Sequence, residues 1–174
     1  MDDNQPEPVV STHATRIPNR PVNHVAVSVS NIDAVVDWYS TTLGFQKMGS
    51  THIKRSENPD NPVFKVYPPD LKEYKIAFLA TGNGVGLEVI EYIDPAPIPR
   101  SALSKYNRTG LVHIAVTDED PAGLADRVVG AGGARIGKAV EYAGFEIVYT
   151  TDPWGNVVEI MQASFERVAA ATSA

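Results

Sequence analysis

The stretch that decides the fold reads Thr151-Asp152-Pro153-Trp154-Gly155-Asn156-Val157-Val158-Glu159-Ile160. Its first half is typical of a tight turn, with proline at the second turn position and glycine at the fourth. Val157 to Met161 then has the composition of a short β-strand. Glu159 lies in this strand between two apolar residues, where a carboxylate is costly to bury unless another group pairs with it. The rest of the chain must therefore supply a partner for Glu159.

The same pattern occurs earlier in the chain, which indicates an internal repeat. Gly86-Leu87-Glu88-Val89 places Glu88 among apolar residues of a strand, as Glu159 is placed. His24 and His113 each lie in an alternating strand that is followed by a helix. Both halves read strand, helix and three strands, and one βαβββ unit cannot bury both faces of its sheet alone. We therefore predict an α+β fold with two tandem βαβββ modules forming a cupped mixed sheet with helices on the outer face.

Turns and polar stretches set the predicted boundaries. They are a tail at 1–21, module 1 at 22–92, a linker at 93–110, module 2 at 111–162, and a C-terminal tail at 163–174 with a short helix. Module 1 includes a long, proline-rich loop at 51–74. Loops of this length are often lids or substrate loops, and the alternative is an inert surface insertion.

Strand parity brings four potential metal ligands to one sheet face. Each module contributes a histidine from its first strand and a glutamate from its last, on the face that points away from the helix. One such residue is more often part of an ordinary core, but here the pair recurs at symmetric positions. Two imidazoles and two carboxylates suit a divalent first-row ion. The sequence thus predicts one divalent metal ion (Fe, Zn, Ni, Co or Mn) bound by His24, Glu88, His113 and Glu159, either within one chain or between two copies.

The composition favours a small-molecule substrate over large partners. A formal net charge of −6 without a cluster of Lys and Arg argues against nucleic acid or an anionic membrane. No apolar run is long enough to span a bilayer, and the N-terminus has no apolar signal core. The absence of cysteine fits a reducing, cytoplasmic compartment. We expect the protein to be a homodimer.

These residues resemble the vicinal oxygen chelate superfamily, which includes glyoxalase I, methylmalonyl-CoA epimerase, extradiol dioxygenases, and fosfomycin and bleomycin resistance proteins. The resemblance covers about Val22 to Met161. The matching segments are Asn23-His24-Val25-Ala26-Val27, Trp38-Tyr39, Leu43-Gly44-Phe45, Gly86-Leu87-Glu88-Val89, Gly110-Leu111-Val112-His113-Ile114-Ala115-Val116 and Asp152-Pro153-Trp154-Gly155-Asn156-Val157-Val158-Glu159. Glu88 favours the branch similar to glyoxalase I and the epimerases, because dioxygenases and fosfomycin enzymes lack an acidic ligand there.

The resemblance implies a metal-dependent isomerase, epimerase or lyase. In such enzymes two vicinal substrate oxygens chelate the metal, which stabilises the enolate formed when a carbon acid loses its proton. By this resemblance the catalytic carboxylate that moves the proton is Glu88 or Glu159. Ser28 and Tyr92 stand where glyoxalase I has the Arg and Asn that bind glutathione, so a glutathione-linked substrate is not expected.

The expected pocket is mainly apolar. Small residues follow each histidine, and larger apolar or aromatic residues surround the glutamates, which suggests a small, mainly apolar or aromatic oxygenated metabolite. The predicted substrate-binding residues are Ser28, Ile90, Tyr92, Thr117, Tyr149 and Met161.

Two alternatives stay open. One is a non-haem iron dioxygenase or ring-cleaving oxygenase in which Glu88 does not bind the metal; its non-ligand acid/base histidine could only be His52. The other is a non-catalytic small-molecule binding protein of the resistance type.

Overall fold

The computed structural model describes residues 18–98, 107 and 109–172. Most of the predicted N-terminal tail, and the linker residues 99–106 and 108, lie outside the described residues. Module 1 comprises β1 (His24–Ser28), α1 (Ile32–Leu43), β2 (Gln46–Lys54), α2 (Val63–Val66), β3 (Glu73–Ala80) and β4 (Gly86–Asp94). Module 2 comprises β5 (His113–Thr117), α3 (Pro121–Gly130), β6 (Ala134–Tyr142), β7 (Phe145–Thr151) and β8 (Val157–Met161). Helix α4 (Phe165–Thr172) follows, where the sequence predicts a short helix in the C-terminal tail.

Each module contains one four-stranded mixed sheet. The strand order β1-β4-β3-β2 of the first sheet is repeated as β5-β8-β7-β6 in the second. In both sheets the first and last strands of the module pair in parallel, and the other pairs are antiparallel. The predicted α+β fold with two tandem βαβββ modules is therefore confirmed. Within the described ranges, no helix is long and apolar enough to cross a membrane.

The strand register confirms the internal repeat at the level of single residues. Ala26 pairs with Glu88 in module 1, and Ala115 pairs with Glu159 in module 2. Residues that pair across adjacent strands point to the same face of a sheet. Each glutamate therefore shares a face with the histidine two residues before its paired alanine, as strand parity predicts. We call this face of each sheet, opposite the helix, the cup face.

The local signals that start and end helix α1 act as the sequence indicates. The Asn31 side chain accepts a hydrogen bond from the Ala34 amide at 3.1 Å and so caps the free N–H groups of the first turn. Gly44 ends the helix with a φ of 73°, a left-handed conformation that glycine adopts without strain. In module 2 the Asp120 carboxylate caps α3 through the Gly123 amide at 2.9 Å. These caps fix where each helix begins and therefore which of its residues face the sheet.

The helix-covered faces of both sheets share one hydrophobic core. This core includes Val35 and Val89 from module 1 and Val128 and Ile160 from module 2. Two hydrogen bonds tie α1 to module 2: the Trp38 indole donates to the Ala131 carbonyl at 2.9 Å, and the Tyr39 hydroxyl donates to Asp152 at 3.0 Å. The modules are thus joined through their helix sides, so the two cup faces point away from the shared core.

Asp152 is the polar centre of this junction. It is 2% exposed and accepts four hydrogen bonds, from Tyr39, from the amides of Trp154 and Asn156, and from the Asn156 side chain. Burial, followed by the charge of Asp152, raises the pKa of the Tyr39 hydroxyl well above its ordinary value. A fully bonded carboxylate thus organises the turn before β8, the strand that carries Glu159.

The connection between β2 and β3 is shorter at both ends than the loop expected at 51–74. Strand β2 continues to Lys54 and β3 begins at Glu73, so the irregular segment is residues 55–72. Polar residues conceal the strand ends in the sequence, because they pair in the antiparallel ladder while staying exposed, as Thr51 and His52 do, or half-buried, as Lys54, Glu73 and Lys75 do.

Candidate functional site

The first pair of predicted ligands lies together on the cup face of module 1. The His24 Nε2 atom is 3.5 Å from Glu88 Oε2, and His24 Nδ1 is 2.8 Å from the Asn23 side-chain oxygen. Gly86 pairs with His24 in the ladder, and a Cβ at this glycine would lie only 3.3 Å from the histidine Cβ. Glycine therefore leaves room for the imidazole, whose ring is held by its Nδ1 partner with Nε2 directed towards Glu88.

The second pair lies at the equivalent position of module 2 and is more enclosed. The His113 Nε2 atom is 3.0 Å from Glu159 Oε2, and Glu159 Oε1 accepts a hydrogen bond from the Tyr149 hydroxyl at 2.6 Å. Glu159 is 7% exposed. Burial, then the hydrogen bond to Glu159 and its charge, raise the pKa of Tyr149 to about 12. Tyr149 therefore stays protonated near neutral pH and holds one oxygen of the carboxylate.

The two glutamates differ in one neighbour. Tyr149 pairs with Glu159 across β7 and β8, whereas Phe78 pairs with Glu88 across β3 and β4. Phenylalanine has no hydroxyl to donate, and the Glu88 side chain is 23% exposed against 10% for Glu159. Glu159 is therefore held by two groups, whereas Glu88 Oε1 has no hydrogen-bond or ion-pair partner among the described residues.

Within one chain, the two pairs do not form a single cluster. No group of three or more His, Cys, Asp or Glu side chains suited to a metal ion occurs in the described part of the chain. The cause is the shared core, which joins the modules through their helix sides and directs the cup faces away from it. Each chain thus presents two half-sites, His24/Glu88 and His113/Glu159.

Each half-site fits a divalent metal ion in chemistry and spacing. Imidazole nitrogen and carboxylate oxygen bind such ions at about 2.0–2.2 Å, so two ligand atoms of one tetrahedral ion lie about 3.3 Å apart. The measured nitrogen–oxygen distances of 3.5 and 3.0 Å bracket this value. His113 departs from the usual pattern in one respect: ligating histidines ordinarily donate through their second nitrogen, whereas its buried Nδ1 has no hydrogen-bond partner among the described residues.

A pocket of about 380 Å³ adjoins the first half-site. Its walls are mostly apolar and aromatic and include the Glu88 carboxylate. Its lining residues are Thr51, Ile53, Asn61, Pro62, Val63, Tyr67, Leu71, Tyr74, Ile76, Phe78, Glu88, Ile90 and Tyr92. Several of these residues come from the 55–72 segment, so this segment forms part of the pocket wall on the cup face of module 1.

The predicted substrate-binding residues divide between the two cup faces. Ile90 and Tyr92 line the pocket of module 1, and Ser28 is exposed at the end of β1. The other three lie on module 2, on the same face as Glu159: Thr117, Tyr149 and Met161.

The sequence reasoning missed three aromatic residues of the pocket: Tyr67, Tyr74 and Phe78. Phe78 precedes Glu88 by as many residues as Tyr149 precedes Glu159, so applying the repeat to Tyr149 could have found it. Tyr67 belongs to the inserted segment and has no counterpart in module 2, and no sequence signal indicated it.

His52 lies away from the cup face. Its Nε2 is 2.7 Å from Glu73, and it lines a separate pocket of about 140 Å³ beside α1. Its neighbour Ile53 lines the larger pocket, and Thr51 borders both pockets. His52 therefore does not lie on the sheet face that carries Glu88.

Comparison with known proteins agrees with the fold described above. The model of the glyoxalase/bleomycin resistance protein/dioxygenase superfamily matches residues 22–160. No curated protein matches the chain closely in sequence. A glyoxalase family protein from Bacillus cereus has a similar structure, with a TM-score of 0.68, 18% identity and coverage of 86% of this chain and 97% of that one.

Two further similar structures belong to named enzymes or resistance proteins. A glyoxalase I mutant from Zea mays has a TM-score of 0.56 and 20% identity, and the match covers 82% of this chain and 45% of that one. The fosfomycin resistance protein FosX from Mesorhizobium loti has a TM-score of 0.57 and 14% identity, with 88% and 99% covered. At these identities the likeness extends to the fold. The family match covers most of the chain, and this protein therefore belongs to the glyoxalase/bleomycin resistance protein/dioxygenase superfamily.

Proposed function

We propose that the protein is a metal-dependent isomerase, epimerase or lyase that acts on a small, mainly apolar or aromatic oxygenated metabolite without glutathione. One observation carries the proposal: the Glu88 carboxylate lies beside a histidine and at the same time forms part of the wall of an apolar pocket. A substrate in that pocket would place its acidic C–H next to Glu88, which would serve both as the base and as a ligand of the metal ion. Ser28 and Tyr92, which replace the glutathione-binding residues of glyoxalase I, support a substrate of a different kind.

The complete metal site would form between two copies of the chain. His24 and Glu88 of one copy would bind the ion together with His113 and Glu159 of the other, and the reciprocal contacts would give two equal sites per dimer. The open cup faces and the separation of the half-sites within one chain support this arrangement. It also gives the predicted homodimer a reason, because neither half-site alone supplies enough ligands for a catalytic ion.

The chain's own residues divide the chemistry unequally. A bound divalent ion supplies positive charge that stabilises the negative charge developing on the substrate oxygens. Glu159, held by Tyr149 and close to His113, is the fixed ligand. Glu88, with an oxygen facing the pocket, takes a proton from the substrate carbon and returns it to the same or a neighbouring carbon, which leaves the overall composition of the substrate unchanged in an isomerisation. The apolar walls would limit the access of water to the reacting carbon.

Proton exchange tests this assignment. 2-Hydroxyacetophenone has an aromatic ring, two vicinal oxygens and an acidic C–H, and its exchange in deuterium oxide can be followed by NMR. The zinc-loaded native protein should catalyse the exchange, and Glu88→Gln should slow it by about a hundredfold or more, because the amide keeps the shape but not the basicity. Glu159→Gln should act mainly by lowering metal affinity, so excess zinc should restore part of its rate.

Other outcomes would identify a different function. A rate lost in Glu159→Gln at saturating zinc but kept in Glu88→Gln would reverse the two roles. Oxygen uptake with a catechol by the iron-loaded protein, without any exchange, would support the oxygenase alternative. Tight binding of the ketone with neither exchange nor oxygen uptake would support the binding-protein alternative.

A further inference from the structure

The 55–72 segment is folded onto the sheet by contacts of its own. We call it the roof segment. Phe64 and Leu71 are buried against Tyr74, and the Phe64 and Tyr74 rings meet edge to face at 6.2 Å. Arg55 lies over the Phe64 ring at 4.2 Å and donates to the Leu71 carbonyl at 2.7 Å. This small apolar cluster, together with the Arg55 guanidinium stacked on Phe64, holds the roof segment at a fixed distance above the cup face.

At its far end, the roof segment meets β4 through two tyrosines. The Tyr67 and Tyr92 hydroxyl oxygens are 3.1 Å apart, and their rings lie 6.1 Å apart. Two hydroxyls that share one hydrogen bond use one hydrogen and leave the other free to donate. Burial and the hydrogen bond to Tyr67 raise the pKa of Tyr92 well above its ordinary value, so the Tyr92 hydroxyl stays protonated near pH 7.

The two polar ends of the pocket, at Glu88 and at Tyr92, are separated along strand β4. Glu88 and Tyr92 are four residues apart on β4 and share the cup face, so their Cα atoms lie about 13 Å from each other. Ile90 lies between them and lines the apolar middle. A ligand that reached both ends would therefore need a ring-sized apolar body.

The end of the pocket at Tyr67 and Tyr92 favours an uncharged group of the ligand over a charged one. No Lys or Arg is among the pocket-lining residues that the structure describes. Two cations of the roof segment are already engaged: Arg55 donates to the Leu71 and Pro68 carbonyls and packs on Phe64, and Lys72 donates to the Pro69 carbonyl. A carboxylate or phosphate there would have no ion-pair partner, whereas a hydroxyl or carbonyl oxygen could accept the free tyrosine hydrogen.

We infer that Tyr67 and Tyr92 form a distal subsite that binds a neutral hydroxyl or carbonyl on the far end of a ring-bearing substrate, with Tyr67 as a specificity-determining residue of the roof segment. This inference rests on the proposed function for what happens at Glu88, but it adds which substrates reach that residue. The favoured substrates carry a pair of vicinal oxygens at one end, an aromatic or alicyclic body, and a neutral oxygen at the other end.

Binding of a non-chelating probe to the metal-free protein tests the distal subsite separately from the metal chemistry. The probe is 2-naphthol, compared with naphthalene, which lacks the hydroxyl, and both are measured by fluorescence titration in the presence of EDTA. The native protein should bind 2-naphthol about two- to tenfold more tightly than naphthalene, as expected for one partly solvated hydrogen bond. Tyr67→Phe/Tyr92→Phe should remove this preference and leave naphthalene affinity within about twofold, because both rings remain.

Single variants and a matched control complete the test. Tyr67→Phe alone should lose part of the preference, since Tyr92 would keep one free hydroxyl. Tyr142→Phe, on exposed β6 outside the pocket, should change nothing. The inference is overturned if the native protein shows no preference, or if the double variant keeps it. If the preference disappears in the double variant and the native protein binds no metal, the distal subsite is supported and the proposed metal chemistry is refuted.

Discussion

Two variants that each fail to bind metal should restore each other if the metal site forms between two copies. The first variant is His24→Ala/Glu88→Ala, which removes one half-site, and the second is His113→Ala/Glu159→Ala, which removes the other. In a dimer of either variant, every site keeps only two of its four ligands. Such a site should lose most of its bound ion, because two of the side chains that would ligate it are missing.

The expected metal content of a mixture follows from the arrangement of the half-sites. After the two variants are unfolded and refolded together, about half of the dimers should contain one copy of each. In such a mixed dimer one site has all four ligands and the other has none. The mixture should therefore hold about one quarter of the native metal, and mixed dimers isolated through two different affinity tags about one half. Elemental analysis after gel filtration measures both values.

A third variant controls for the loss of any histidine–glutamate pair. His52 and Glu73 lie 2.7 Å apart on module 1 but away from the cup face, so His52→Ala/Glu73→Ala should keep native metal content. The reasoning would be refuted by isolated mixed dimers that hold no more metal than the separate variants. It would equally be refuted if either variant alone kept its full metal content.

Two further predictions concern stability. Tyr39→Phe should lower the free energy of unfolding by about 2 kcal/mol at pH 8, because it removes a buried hydrogen bond to the Asp152 carboxylate. Since the pKa of Tyr39 is raised in the folded state, its contribution to stability is complete below about pH 10 and is lost as the pH rises further. The free energies of unfolding of native protein and variant, measured by urea titration, should therefore converge above that pH. A difference that stays constant with pH would contradict the assignment. Phe64→Ala should loosen the roof segment and raise the rate of proteolysis within 55–72 by at least about tenfold, since a large buried ring is lost. Val66→Ala, which truncates a side chain that is 81% exposed, is the control, and equal cleavage of the two variants would show that Phe64 does not hold the segment.

The fold and the half-sites could be predicted because they depend on local periodicity and on a repeat. Alternation in β1 and β5 separates His24 and His113 from the core valines, and the repeat aligns Glu88 with Glu159. The helix caps Asn31 and Asp120 are likewise short-range signals, and each side chain accepts the amide hydrogen bond that its position indicates.

The arrangement of the modules could not be read in the same way. Which faces of the two sheets meet depends on long-range contacts, such as the hydrogen bonds of Trp38 and Tyr39 to module 2, and periodicity is identical for either arrangement. The difference in hydrogen bonding between the two glutamates could not be predicted without the strand register. It depends on the residue that pairs with each one, which is Phe78 for Glu88 and Tyr149 for Glu159. The roof segment was recognised as a long loop, but its apolar cluster uses irregularly spaced residues that leave no period in the sequence.

The junction between α1 and the turn at Asp152 also determines what kind of assembly the chain can make. In the assembly proposed above, the two different half-sites on separate faces make each copy a bivalent unit whose faces are complementary to each other. Units of this kind form a closed ring when the angle between the faces returns the last copy to the first, and an open-ended polymer when it does not. The hydrogen bonds of Trp38 and Tyr39 across the modules hold that angle. In that assembly, contacts between the modules, rather than the half-sites themselves, decide whether linked copies close into a ring or continue as a polymer.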